Sequence, residues 1–66
     1  MEYHDNTLCI THAEVTDGIM TKPTLDYYVS KGTIKVVRRG CFGTPALYDV
    51  MTFPPKYKAE IKKRHT

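Results

Sequence analysis

The segment at residues 34–50, IKVVRRGCFGTPALYDV, constrains the fold of this chain more than any other feature. Two β-rich runs, residues 34–38 and 46–50, flank a loop that holds Arg39, two glycines and Pro45. Because glycine adopts the positive φ angles that turns require, the segment predicts a β-hairpin with a basic, flexible tip. The intervening loop is too long for a two-residue turn, so we expect an extended, mobile wing.

A short helix is predicted ahead of the hairpin. Thr11 and Glu14 fit the capping box T-x-x-E, in which each side chain satisfies a backbone N–H of the other residue. Gly18 is the expected end of this helix. Residues 7–10 are predicted to form a short strand, and residues 1–6 are expected to be frayed.

A second helix is predicted between Thr21, a plausible N-cap, and Gly32, a natural stop. Pro23 fits the first turn, where its missing N–H costs nothing. Helical spacing places three residues toward the core, namely Leu25, Tyr28 and Val29. The outward face would carry Lys22, Thr24, Tyr27, Ser30 and Lys31.

The final element is a basic helix. Phe53-Pro54-Pro55 halts the sheet, and a proline begins a helix over residues 56–64 with Thr52 nearby as a cap. Tyr57 and Ile61 would face the core. Two short helices, a hairpin and this helix predict one α+β domain over residues 1–66, with the architecture of a small winged helix-turn-helix.

Charge is distributed unevenly along the 66 residues. Residues 1–30 carry five acidic side chains and one lysine, whereas residues 31–66 carry nine lysines and arginines and two acidic side chains. A basic half on a small domain is typical of proteins that bind polyanions, although a solvated basic face without a partner remains an equal alternative.

Size and composition exclude several classes of protein. A domain this small buries only about 60% of its unfolded surface, which leaves little room for an enclosed active site. Cys9 and Cys41 are expected to be a buried thiol and a loop thiol, because small secreted folds usually carry several disulfides. No N-terminal apolar run resembles a signal peptide and no stretch could span a membrane, so we expect a soluble, cytoplasmic protein.

The wing holds the strongest candidate binding residues. Arg38 and Arg39 suit phosphates and narrow minor grooves, since the planar guanidinium donates in a fork. Phe42 has two interpretations, a wedge against sugars or a base step, or a side chain folded back onto the core. We favour the second for Phe42.

The second helix offers weaker candidates. Lys22 and Thr24 lie at its N-terminus, where the backbone N–H groups favour a phosphate. Tyr27 and Lys31 would face a groove, but Asp26 repels phosphates unless it points away. The lysines of the last helix fit either phosphate contact or a solvated face.

The sequence predicts no catalytic or metal site. His4, His12 and His65 lack the spacing of zinc ligands, and Cys9 and Cys41 stand alone. No nucleophile and base, and no glycine-rich phosphate loop, is suggested. We therefore expect no cofactor, no small-molecule substrate and no membrane partner.

The order of these motifs resembles a known family over roughly residues 8–65. Tyr28-Val29-Ser30-Lys31-Gly32, VVRRG, Ala46-Leu47-Tyr48 and FPPKYKAEIKK together resemble the N-terminal DNA-binding domain of phage Mu-like transposases, in particular the form in putative transposases or integrases of Bacteroides-type bacteria. Cys41-Phe42 departs from the resemblance by making the wing tip bulkier than a plain glycine loop.

The resemblance implies a winged helix-turn-helix that binds double-stranded DNA of a mobile element and positions a later catalytic domain. This domain would not cut or join DNA itself, and self-association through the longer parent protein stays open. The implied DNA contacts are Lys22, Thr24, Tyr27, Lys31, Arg38, Arg39, Gly40, Phe42 and Gly43. Two alternatives remain, a free-standing repressor or excisionase-like DNA-binding protein, and a protein-interaction module with an acidic partner.

Overall fold

Three helices and four strands make up the fold, in a computed structural model that describes residues 2–64; Met1, His65 and Thr66 lie outside the described residues. The elements in chain order are β1 (Glu2–His4), β2 (Thr7–Thr11), α1 (His12–Thr16), α2 (Lys22–Lys31), β3 (Val36–Arg38), β4 (Leu47–Asp49) and α3 (Pro55–Arg64), with a 3-10 turn at Val50–Thr52. The strands form one antiparallel sheet in the order β1-β2-β4-β3. The fold is therefore α+β, as expected.

The N-terminal strands form a hairpin that the sequence analysis missed. β1 pairs with β2 in a register that places Tyr3 opposite Leu8. Asp5 and Asn6 connect the strands with φ angles of 50° and 67°, the left-handed pair that a type I′ turn requires. The expectation of a frayed N-terminus is therefore wrong for residues 2–6, because this turn matches the twist of the paired strands.

The predicted capping box begins α1. The Glu14 N–H donates to Thr11 Oγ1 at 3.3 Å, and the Thr11 N–H donates back to Glu14 Oε1 at 3.2 Å. Burial raises the pKa of Glu14, but the opposing effects, of which the hydrogen bonds with Thr11 are the largest, together hold that pKa below its ordinary value. The helix ends at Thr16 with Asp17 as its C-cap, and Gly18 follows at the C′ position with a positive φ of 90°, which confirms Gly18 as the predicted stop.

α2 follows its predicted boundaries closely. Thr21 occupies the N-cap position, Pro23 lies in the first turn and Gly32 ends the helix at a φ of 85°. The Thr21 side chain makes no capping bond and instead lies 2.9 Å from Thr24 Oγ1.

The second hairpin is shorter than predicted at both strands. β3 pairs with β4 through an irregular register in which Val36 faces Tyr48 and Arg38 faces Leu47. Thr52 does not cap α3. Its hydroxyl accepts from the Lys35 N–H at 3.0 Å and therefore anchors the approach to β3.

The core lies between the sheet and the helices. Six of its fully or almost fully buried side chains come from different parts of the chain, namely Ile10, Val15, Leu25, Ile34, Val50 and Ile61. Tyr57 packs against this core beside the buried Ile61, which confirms the predicted inner face of α3. Arg64 Nη1 donates to the Asp17 carbonyl at 2.9 Å and ties the end of α3 to the turn after α1.

Two further expectations concern the cysteines and membrane insertion. Cys9 is buried and Cys41 is exposed, and no disulfide joins them, as predicted. Among residues 2–64, no helix combines the length and the apolar character needed to cross a bilayer.

Candidate nucleic-acid interface

The root of the β3–β4 hairpin is attached to the first helix. The His12 N–H, at the start of α1, donates to the Ala46 carbonyl at 3.0 Å. His12 Nδ1 also lies 3.1 Å from the hydroxyl of Tyr48 on β4. Burial raises the pKa of Tyr48, so this phenol keeps its proton to a higher pH than an exposed tyrosine does. The two contacts attach the start of α1 to the base of the hairpin.

Arg38 holds the hairpin loop in shape. Its Nε and Nη2 donate to the Pro45 carbonyl at 3.3 and 3.0 Å, across the base of the loop. Part of the guanidinium is therefore occupied within the chain. The side chain adds positive charge to the hairpin, but its clearest role is to position the loop.

A two-residue turn closes the hairpin at its tip. The Cys41 N–H donates to the Thr44 carbonyl at 2.9 Å, and the Thr44 N–H donates to the Cys41 carbonyl at 2.8 Å. Gly43 takes a φ of 79° in this turn, a conformation that favours glycine. The prediction that the loop is too long for such a turn is therefore wrong at its tip, because residues 41–44 pair again after an interruption.

Phe42 projects from this tip into solvent. Its relative exposure is 107%, so no part of the ring folds back onto the core. The preference for a core-packed Phe42 is therefore wrong. The physical reason is the turn itself, which places Phe42 at a central position between two paired residues and away from the sheet.

Arg39 and Gly40 complete the hairpin group. Arg39 is exposed, and it forms no hydrogen bond or ion pair with the part of the chain that the structure describes. A Cβ placed on Gly40 would lie 3.3 Å from the Ala46 backbone nitrogen, so the two sides of the loop approach closely there. Arg39 is therefore the hairpin cation with the most freedom to bind an anion.

On α2, Lys22, Tyr27 and Lys31 are exposed and Thr24 is half-buried, and each contacts a neighbour within the chain. Lys22 Nζ lies 3.1 Å from Asp26 Oδ2, which neutralises part of its charge. Lys31 Nζ lies 5.4 Å from the centre of the exposed Tyr27 ring, within the range of a cation–π contact. These contacts arrange Tyr27 and Lys31 as one unit near the end of the helix.

A row of tyrosines runs from the Tyr27–Lys31 unit on α2 to α3. The Tyr27 and Tyr28 rings meet edge to face at 5.4 Å, and the Tyr28 and Tyr57 rings do so at 5.8 Å. Lys56 Nζ lies 4.9 Å from the Tyr57 ring. Sequence reasoning missed Lys56 as a partner of the α2 face. The sequence feature that could have revealed Lys56 is its place next to Tyr57, which the helical pattern had identified as a core-facing residue.

The nine predicted residues thus fall into an α2 group and a hairpin group. No hydrogen bond, ion pair or ring contact among the described residues joins one group to the other. A shallow apolar groove of about 470 Å³ lies beside the hairpin group, between the start of α1 and the loop. Within residues 2–64, no three His, Cys, Asp or Glu side chains lie close enough together to hold a metal ion. Exposed cations on a helix and on a hairpin are suited to a polyanion of extended shape.

Comparison with models of protein families, with curated proteins and with solved structures finds no match to this chain.

Proposed function

We propose that this domain binds double-stranded DNA as a small winged helix-turn-helix, with α1 and α2 as the helix pair and the β3–β4 hairpin as the wing. The observation that carries the proposal is the hairpin tip. It presents an exposed arginine, Arg39, and an exposed Phe42 on a closed turn whose base is held by Arg38.

The arrangement of the two groups supports a duplex as the ligand. The exposed face of α2 would meet one groove through Tyr27 and Lys31, and the wing would meet the adjacent groove or its phosphates. The Lys22–Asp26 ion pair weakens the N-terminal end of α2 as a phosphate site. The wing therefore supplies much of the contact, and Lys56 joins the phosphate-binding set through the tyrosine row.

The wider role follows from the resemblance of the sequence. We infer an N-terminal DNA-binding domain of a Mu-like transposase or integrase that works in the bacterial cytoplasm and positions a later catalytic domain on mobile-element DNA. The domain itself performs no strand cleavage or joining in this proposal. A free-standing repressor or excisionase-like protein would use the same surface.

An amide-shift titration with a random-sequence duplex, at low and then moderate salt, tests the DNA proposal. Salt-sensitive shifts should cluster on residues 38–43 and 22–31. Neutralisation of about four to six phosphates predicts a slope of log affinity against log salt of roughly −4 to −5. A slope near zero, or no shifts at low salt, would contradict DNA binding.

Arg39→Gln is the sharpest variant for this test, with Lys62→Gln as a control that removes the same charge from the far end of α3. Arg39→Gln should weaken binding about tenfold, which corresponds to about 1.4 kcal/mol, with the fold intact. Arg38 is a poorer choice, because its loss also releases the Pro45 carbonyl. If both variants bind DNA with equal affinity, the loss reflects net charge alone and not the position of Arg39.

One observation favours a second candidate, a module that binds an acidic protein segment. β3 is an edge strand, since among the described strands it pairs with β4 alone. Exposed edges recruit extended peptides by adding a strand. This alternative predicts that Arg39→Gln leaves DNA affinity unchanged, whereas a proline at Val37 would abolish partner binding.

A further inference from the structure

Phe42 is the one large apolar side chain of the described residues that is fully exposed, and a hydrogen-bonded turn carries it. Two backbone hydrogen bonds of 2.9 and 2.8 Å between Cys41 and Thr44 close the turn that carries it. A mobile loop would let the ring collapse onto nearby apolar surface. This turn instead holds the ring outward, next to the apolar groove but not in it.

The dimensions of the hairpin decide what part of it can enter a groove. Paired strands lie about 4.8 Å apart before side chains are counted, whereas the minor groove of B-DNA is only about 6 Å wide. The ribbon therefore cannot enter as a whole. Only side chains at the tip reach the floor of the groove, and the glycines at positions 40 and 43 reduce the bulk beside them.

We infer that Phe42 is a wedge that inserts between two base pairs from the minor groove and kinks the duplex. This inference rests on the proposed DNA-binding function and deepens it by assigning a deformation of the DNA to one residue. Arg39 lies close to Phe42 in sequence, and its positive charge is attracted by the negative potential of the minor groove. The apolar ring and the cation would therefore act together. Phe is among the side chains that proteins use to unstack base steps.

The wedge predicts a preference for particular DNA. Pyrimidine–purine steps such as TA unstack easily, whereas A-tracts are stiff. A duplex with a central TA step should therefore be bound and bent, by about 20–90°, while an A-tract duplex should be bound with little bending. Such a preference would operate without hydrogen bonds to base edges.

The test measures DNA bending and affinity together, with duplexes labelled at both ends for energy transfer. Wild-type protein should bend the TA duplex. Phe42→Ser should lose the bend and bind about tenfold more weakly. Phe42→Leu should retain most of the bend, because leucine is also a wedge residue. Met51→Ala, which removes another exposed apolar side chain, is the matched control and should behave as wild type.

The outcomes separate the inference from the proposed function. Bending and affinity that are equal in wild type and Phe42→Ser would overturn the wedge and leave DNA binding in place. No binding of either duplex at low salt would overturn both. Self-association without DNA that depends on Phe42, measured by sedimentation, would also overturn the wedge and assign the ring to the apolar groove of a second copy.

Discussion

The two hairpins of this small domain use opposite designs. The β1–β2 hairpin connects its strands directly through Asp5 and Asn6, and both residues adopt left-handed backbone angles. The β3–β4 hairpin separates its paired strands by a longer loop that closes again only at Cys41 and Thr44. One hairpin is as short as a hairpin can be, whereas the other extends well beyond the sheet.

Under the proposed function, the difference separates a hairpin that stabilises the sheet from a hairpin that binds DNA. The first hairpin adds an edge strand to the sheet and carries few positive charges. The second presents the exposed Arg39 and Phe42, and the Arg38–Pro45 hydrogen bonds cross the base of its loop. A tight turn orders few residues and so loses little conformational entropy. A projecting loop loses more conformational entropy, but it places its side chains where a ligand can contact them.

The largest effect should come from the strand that both hairpins depend on. Leu47 on β4 is fully buried, and it faces Thr11 on β2 and Arg38 on β3. Leu47→Ala should lower the free energy of unfolding by about 2–5 kcal/mol, because it removes packed methyl groups and leaves a cavity. Chemical denaturation measures this loss, and Met51→Ala should cost far less. A Leu47 variant with wild-type stability would contradict the central position of β4.

A smaller and local effect is expected at the tip of the β3–β4 hairpin. Gly43→Ala places a Cβ at a φ of 79°, which costs the turn about 1–2 kcal/mol. We expect the Cys41 and Thr44 amides to exchange faster with solvent, while global unfolding changes less because the turn opens locally. Gly40→Ala is the contrast, since its strain comes from the Ala46 backbone at 3.3 Å and not from a positive φ. Unchanged amide protection in Gly43→Ala would contradict a role for this turn in holding the tip closed.

Local sequence signals predicted the helix boundaries well. Thr11, Glu14, Thr21 and Gly32 marked helix boundaries correctly, because capping and left-handed termination are decided within a few residues. The register and length of β3 depend on distant contacts, such as the Lys35–Thr52 hydrogen bond, which no local pattern contains.

The sequence identified the residues of the candidate site but not the contacts that these residues make within the chain. Two β-rich runs around a basic loop with two glycines identified the β3–β4 hairpin and its candidate residues. The occupation of Arg38 by the Pro45 carbonyl and the outward direction of Phe42 depend on how the loop closes. The first hairpin was missed although Asp5-Asn6 is a residue pair that tolerates left-handed angles, because residues 1–6 were interpreted by polarity alone.

The capping box between the hairpins gives a pH-dependent prediction. Glu14 has a lowered pKa in the folded protein, so its charge stabilises the fold above the ordinary carboxyl pKa. That contribution should disappear as the pH falls through the lowered folded-state value. Glu14→Gln keeps the reciprocal hydrogen bonds without the charge, and it should cost about 0.3–1 kcal/mol at neutral pH. Denaturation curves of both proteins should converge in acid, and a constant difference would contradict a role for the charge.

The smallest effect should appear at the first turn, where it distinguishes the two hairpins most cleanly. Asn6 has a φ of 67°, and glycine is the residue that a type I′ turn prefers at this position. Asn6→Gly should therefore raise the free energy of unfolding by about a few tenths of a kcal/mol, whereas Asp5→Ala should lower it because alanine tolerates a positive φ poorly. Neither variant should change DNA affinity, since the turn carries none of the proposed contacts. A change in affinity for Asn6→Gly would mean that the first hairpin belongs to the binding surface, and the division between a stabilising and a binding hairpin would then fail.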